Sequence, residues 1–332
     1  MCLIVFGLRA HDDYPLVLVA NRDEFYARPT APLAWWPTQP TPANPTAHAD
    51  ALLAGRDLQG GGTWMGVTRS GRFAALTNFR ETLRISKSSK PSRGELVAAY
   101  LREQQTANQF VDWQQDAANA WHPWCEQYEG FNLLMGDLHT LQWHWFGNRV
   151  HTQHDAAETL SDIAANTSSS HSSRPNADQL LASLQSVSDG WHGLSNGQLD
   201  TPWPKVRQRR QALQDFMSDW MRPAQPGTLK ESSTETGTTQ LHQALLQLLA
   251  DRRTAADADL PATGVPLTME RMLSAAFIHS EEMAYGTRST TALTVDRYGN
   301  VCLTERTFFP QTVVNQPELA WQDRSEQFCL QQ

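Results

Sequence analysis

The chain predicts an α+β fold in which antiparallel sheets are covered by helices. Three observations carry this reading. Strand-like apolar runs crowd the two ends of the sequence, helical patterns fill the intervals, and no regular strand-helix-strand alternation of the doubly wound kind is present. At 332 residues the chain exceeds the roughly 100 to 200 of a typical domain. It reads as a single domain over 1–332 with polar insertions near 166–176 and 222–239.

Taken in order, the expected strands are Leu3 to Leu8, Leu16 to Ala20, Trp64 to Thr68, Phe73 to Thr77, Phe131 to Met135, Leu141 to Phe146, Ala292 to Val295 and Val301 to Thr304. The proline-rich Thr30 to Thr46 segment reads as an extended surface wrap. Ser92-Arg93-Gly94-Glu95 has the form of a capping box, opening a helix with Leu96, Val97, Tyr100 and Leu101 on one face. Pro204 suits the first turn of a helix that turns Val206, Leu213, Phe216 and Met217 inward. Another helix holds Leu241, Leu245, Leu248 and Leu249, and a further one runs through Met272, Ala276 and Phe277. The Ser-rich run at 168–173 and the stretch from Pro223 to Thr239 cannot bury apolar area and read as loops.

Composition removes several function classes. Twelve Trp, 12 Phe and 6 Tyr can build a sizeable core, while 27 Lys plus Arg against 35 Asp plus Glu leave a net charge of −8 that repels phosphate backbones. Arg207-Gln208-Arg209-Arg210, the longest basic cluster, reads as the solvated face of a helix, so no nucleic-acid partner is expected. The apolar start gives way at once to His11-Asp12-Asp13, which argues against a signal peptide, and no run of about 18 apolar residues occurs to span a membrane. A cytoplasmic location is the expectation. Cys2, Cys125, Cys302 and Cys329 lack zinc-site, haem-attachment or disulfide-scaffold spacing and should be reduced thiols.

Cys2 is the first candidate for chemistry. Removal of Met1 would place a thiol and a free α-amino group on one residue, and with ordinary pKa values near ~8.5 and ~7.7 to 8.0 the amine can take the thiol proton at neutral pH. The packing alternative is a small apolar residue opening a buried strand. The second candidate follows the Leu16 to Ala20 run, which Asn21-Arg22-Asp23-Glu24 ends abruptly. Such groups at a strand end can orient a nucleophile, bind a carbonyl, or form a structural ion pair.

These residues, with Gly61-Gly62-Thr63-Trp64-Met65-Gly66, Thr77-Asn78-Phe79-Arg80, Ser92-Arg93-Gly94, Gly130-Phe131-Asn132-Leu133, Gly193-Leu194-Ser195-Asn196, Pro202-Trp203-Pro204-Lys205 and Tyr285-Gly286-Thr287-Arg288-Ser289-Thr290-Thr291, resemble in the same order the NRDE family of transport and Golgi organisation proteins. The resemblance implies a four-layer αββα sandwich of antiparallel sheets, like that of N-terminal-nucleophile hydrolases, with Cys2 at the nucleophile position. It also links the chain to secretory organisation, mitochondrial metabolism and haem trafficking. The choloylglycine and penicillin acylases, cysteine enzymes of that fold, place an Arg and an Asp after the second strand. Arg22 and Asp23 match those types, in a different local order, beside Asn21. Asn78 and Asn196 would then supply oxyanion-hole amides, and Arg288 would hold an anionic substrate group. Turn capping is the structural alternative for both asparagines.

A rival lies in Gly193-Leu194-Ser195-Asn196-Gly197, which has the form of a hydrolase nucleophile elbow, with Gln59-Gly60-Gly61-Gly62 similar to its oxyanion glycines and Asp251 or Asp257 and His279 in a permitted order. The flanking residues predict neither the strand before it nor the helix directly after, so the motif reads as a turn. No nucleotide loop and no zinc pair is present in the 11 histidines, and no metal site is expected. No cofactor is expected either, although haem could bind non-covalently through His or Cys. The leading expectation is a cysteine N-terminal-nucleophile amidohydrolase or acyl-transfer enzyme acting on a small amide or acyl compound. The alternative is a non-enzymatic carrier of haem or another apolar metabolite, and the oligomeric state is left open.

Overall fold

The computed structural model describes residues 2–36, 51–81, 90–102, 127–149, 185–220, 235–309 and 320–330. Its first strand, β1 (Cys2–Leu8), is buried along its whole length. That unbroken apolar run fits a strand covered on both faces. Leu3 and Val5 enter one core cluster, whereas Ile4, Phe6 and Leu8 enter another.

β1 pairs with β2 (Leu16–Phe25), and the order continues through β12 (Tyr285–Val295), β13 (Asn300–Phe309) and β14 (Ala320–Cys329), with β10 (Gly190–Leu194) on the other flank of β1 and β11 (His279–Ser280) on β12. The second sheet runs β3 (Thr30–Trp35), β4 (Leu52–Asp57), β5 (Met65–Thr68), β6 (Arg72–Asn78), β7 (Phe131–Asp137), β8 (Trp143–Gly147) and β9 (Gln185–Val187). All pairings among these strands are antiparallel.

Three apolar layers hold four layers of structure together. Between the sheets lie Phe6, Leu18, Phe73, Trp143, Trp145 and Leu293, with Trp143 stacked on Phe73 at 4.3 Å between ring centroids. Outside the first sheet, α2 (Pro204–Trp220) and α3 (Glu235–Leu248) bury Val206, Leu213, Met217, Leu241 and Leu245. Outside the second, α1 (Gly94–Arg102) buries Leu96, Val97 and Leu101. The result is the αββα sandwich. A short helix, α4 (Leu267–Leu273), closes one end against Ile278 and Tyr285.

Several expected boundaries are corrected. β2 continues to Phe25, so Asn21 to Glu24 lie inside a strand, because β12 pairs with all of them. Thr30 to Trp35 forms β3 in place of a surface wrap, since β4 supplies hydrogen-bonding partners across a bulge. Ala276 and Phe277 follow α4 outside it, and α3 takes in 235–239 of the stretch read as a loop. The Ser-rich run at 168–173 and residues 223–234 lie outside the described residues. Cys2, Cys302 and Cys329 are free thiols, and Cys125 also lies outside the described residues.

Candidate active site

Cys2 sits where the inter-sheet core opens. It shares the face of Ile4, Phe6 and Leu8, and directly across the ladder stands Arg22. A cavity of about 410 Å³ between the sheet ends is lined by Cys2, Arg22, Asp23, Asn78, Arg93 and Arg288, among others. Five of the seven residues singled out from sequence therefore meet in one space. A bulge makes this possible on β12: Thr287 pairs with Asp23 and Ser289 with Arg22, which leaves Arg288 as an extra residue beside both.

The other two singled-out residues are corrected in place. Asn21 points to the opposite face of β2, where its amide donates to the carbonyls of Leu249 and Ala276 at 3.0 and 2.7 Å and its Oδ1 accepts from Thr290 at 2.6 Å. Strand alternation separates it from Arg22 and makes it a tie between the sheet and the segments that follow α3 and α4. Asn196 is fully buried behind the cavity lining, and its Nδ2 donates to the carbonyl of Asn78 at 2.8 Å. That bond places Asn78 and uses an amide hydrogen that an oxyanion hole would need.

Ser195 belongs to the same support. β10 does precede it, contrary to the expectation, but α2 begins only at Pro204. Its hydroxyl donates to the backbone carbonyl of Cys2 at 2.9 Å, and the elbow's supposed partners are elsewhere: Asp251 pairs with Arg209 and Arg253, Asp257 with Arg271, and His279 with Tyr26. Asn132 anchors the loop from below, donating to Gly197 at 2.8 Å and to Thr77 at 3.0 Å. The motifs around Asn132 and Ser195 thus act as one brace.

The cavity wall formed by the glycine-rich loop has a similar explanation. Asp57 accepts from the amides of Gln59 and Gly60, each at 3.0 Å, and from Arg28 at 2.6 Å. Gly61 has φ +75°, and a β-carbon on Gly62 would lie 2.4 Å from the Gly94 backbone. That close approach sets the start of α1 against the loop and delivers Arg93 to the cavity, where it donates to the Gly130 carbonyl at 2.9 Å.

Charge in the site is concentrated and partly desolvated. Burial raises the Cys2 thiol above its ordinary pKa and the Asp23 charge adds to the rise, opposed by the chain's α-amine, by the Arg22 guanidinium and by the Asp23 amide donating to sulfur. Asp23 is likewise raised by burial, against the pull of Lys205, of the Thr287 hydroxyl at 2.7 Å and of Arg22. Arg288, expected to hold an anionic substrate group, has one end of its guanidinium committed to the backbone. Its Nη1 donates to the carbonyls of Phe25, Tyr26 and Arg28 at 3.0 to 3.1 Å and so clamps the turn that rims the cavity. Glu305 and Arg93 also line the cavity without having been singled out as site residues. Arg93 lay visible within Ser92-Arg93-Gly94, whereas Glu305 carried no local signal. Among the described residues no cluster of His, Cys, Asp and Glu could hold a metal ion, and Cys2 is the one cavity-lining side chain with a usual haem-iron donor.

The family model for "Transport and Golgi organisation 2" matches residues 1–310. The Transport and Golgi organization protein 2 homolog of Homo sapiens is 27% identical over 346 residues, covering 100% of both chains, and that of Bos taurus is 26% identical over 342 residues with the same coverage. Among solved structures, a mutant conjugated bile acid hydrolase from Clostridium perfringens aligns with 98% of this chain and 96% of its own, at 10% identity and a TM-score of 0.40.

Proposed function

The chain belongs to the transport and Golgi organisation 2 family, and we propose that it is a cysteine amidohydrolase whose nucleophile is Cys2 once Met1 has been removed. The observation that carries this reading is the convergence of Cys2, Arg22, Asp23 and Asn78 on one cavity from the two sheets. Packing alone gives no reason to gather a thiol, a carboxylate and guanidiniums around open space.

The chemistry follows from the groups present. The α-amine of the processed Cys2 takes the thiol proton, and sulfur adds to the amide carbonyl of the substrate. The oxyanion that forms is stabilised by the donors and cations around the thiol, Asn78 and Arg22 among them. Collapse breaks the C–N bond, the leaving amine takes the proton held by the α-ammonium, and a thioester on Cys2 remains. Water then adds, with the α-amine again as base, and breakage of the C–S bond releases a carboxylic acid and restores the thiol. Arg93, bonded to the Gly130 carbonyl, and Arg22, whose ion pair with Glu24 is long at 3.8 Å, favour a substrate with an anionic group.

Three measurements test this together. Intact mass of the purified chain should show Met1 absent, an electrophile should label Cys2 ahead of Cys125, Cys302 and Cys329, and Cys2→Ala should abolish hydrolysis on a panel of small amides. A retained Met1 removes the amine base and with it the mechanism. Saturable haem binding that survives Cys2→Ala, with Cys2 labelled no faster than the other thiols, would replace the enzyme by a carrier.

A further inference from the structure

Resting on the nucleophile reading of Cys2, we infer that Lys205 is a positioning residue of the site, a buried ammonium that holds the Asp23 carboxylate and the Cys2 thiolate in their charged forms. The starting point is the Pro202-Trp203-Pro204-Lys205 segment, which the sequence marks and the chemistry above does not use. Pro204 opens α2, and Gly193 on β10 allows α2 so close that a β-carbon there would lie 2.5 Å from Cγ1 of Val206. The first turn of α2 is therefore pressed onto β10 and the neighbouring β1, behind Cys2.

Lys205 is 3% exposed, and its Nζ has no hydrogen-bond partner among the described residues. The charged or titratable groups around it are Arg80 beyond β6, Asp23 on β2, Cys2 on β1 and Glu270 on α4. Tyr285 on β12 adds a phenol beside Asp23 and Cys2, which burial keeps neutral. Arg80 and Glu270 form a buried ion pair of their own, with the Arg80 guanidinium 4.5 Å from the Trp203 ring centroid. Asp23 and Cys2 are left as the groups whose charge Lys205 can set.

A methionine would pack the same aliphatic stem without the cost of desolvating an ammonium that gains no hydrogen bond. The retained charge therefore points to the site and away from stability. Burial and the Arg80 charge lower the Lys205 pKa to about 8, against Asp23 and Cys2, so the cation is present at neutral pH and is lost in mildly alkaline solution.

Iodoacetamide labelling of Cys2, followed by peptide mass on the full processed chain from pH 6 to 10, tests this. With Lys205→Met the rate at pH 7 should fall roughly tenfold, corresponding to about one unit of upward shift in the thiol midpoint. The profiles of variant and wild type should converge at alkaline pH, and the melting temperature should hold or rise. Superimposable profiles would overturn the inference, as would a slowing equal at every pH that accompanies lost stability, since that is a packing effect. Lys205→Arg gives a second reading if the methionine variant fails to fold. Its guanidinium stays protonated throughout, so the neutral-pH rate should persist and the rate above pH 8 should exceed that of the wild type, whereas a profile superimposable on the wild type's would count against Lys205, because the α-amine of Cys2 titrates alike in both. Wild-type Cys2 that labels no faster than Cys329 at any pH removes the nucleophile reading and this inference together, whereas a reactive wild type with unchanged variants removes the inference alone.

Discussion

Two buried thiols lie on the first sheet in contrasting surroundings. Around Cys302 the groups are neutral and mutually satisfied: His242 Nδ1 lies 2.8 Å from the Thr304 hydroxyl and Nε2 2.9 Å from that of Thr294, Ser325 bonds Thr304 at 2.9 Å, and sulfur rests 3.7 Å from His242. Around Cys2 stand Arg22, Asp23, Arg93 and Lys205 beside open space. Burial raises both thiols, so burial does not distinguish them. What differs is incomplete satisfaction: the Nζ of Lys205 and the Nε of Arg288 are buried without hydrogen-bond partners among the described residues, and both lie at the Cys2 end. A closed network stabilises the fold, whereas a buried ammonium without a hydrogen bond, as at Lys205, is retained against stability.

The largest expected contrast comes from the same substitution made at each thiol. Cys2→Ala should lower hydrolysis by about 10³-fold or more with little loss of stability, and Cys302→Ala should leave activity within about twofold while losing about 1 to 2 kcal/mol by chemical denaturation. Equal losses of activity would break the comparison.

Acid should sharpen it next. His242 has its pKa lowered by burial to about 4 from 6.5. A folded pKa below the unfolded value means that the unfolded chain binds more protons between these limits. Stability is therefore complete above pH 6.5 and falls as pH drops towards 4, by about 3 kcal/mol. Urea midpoints at pH 7 and pH 4.5 for the wild type and His242→Gln should show this part of the slope lost in the variant. An unchanged slope would place the acid sensitivity elsewhere.

Smaller effects divide support from chemistry at the Cys2 end. Asn196→Ala removes the amide that holds the half-buried Asn78 carbonyl, so thermal denaturation should register a loss of about 1 kcal/mol and activity should fall roughly tenfold. Ser195→Ala removes one neutral bond to the Cys2 carbonyl and should leave hydrolysis within a few fold, with about 1 kcal/mol lost. A serine variant as inactive as Cys2→Ala would restore the nucleophile-elbow reading.

The layer plan was legible because strands such as Leu3 to Leu8 are buried on both faces and the α2 and α3 faces repeat at helical spacing. β14 was hidden: Trp321 to Glu326 are mostly exposed, and an edge strand whose ladder has β13 on one side only leaves little apolar periodicity to read. Within the site, motif order marked Cys2, Arg22, Asp23, Asn78 and Arg288, which the cavity gathers. The error at Asn21 came from treating four adjacent polar residues as one group when a strand sends neighbours to opposite faces. Glu305 could not be seen at all, because its role depends on accepting from the Leu33 amide at 2.8 Å, a partner 272 residues away.

The bulge on β12 separates fold from site by residue count as well as by side-chain identity. Thr287 and Ser289 face Asp23 and Arg22 with Arg288 left over between them. Deleting Arg288 alone would turn the pairing into an uninterrupted ladder, with every residue on either side keeping its present partner. The clamp on the carbonyls of Phe25, Tyr26 and Arg28 would vanish with it. A chain shortened by one codon at this point should thus assemble the sandwich with a more regular sheet and a looser cavity rim, a change that no substitution at the same position reproduces.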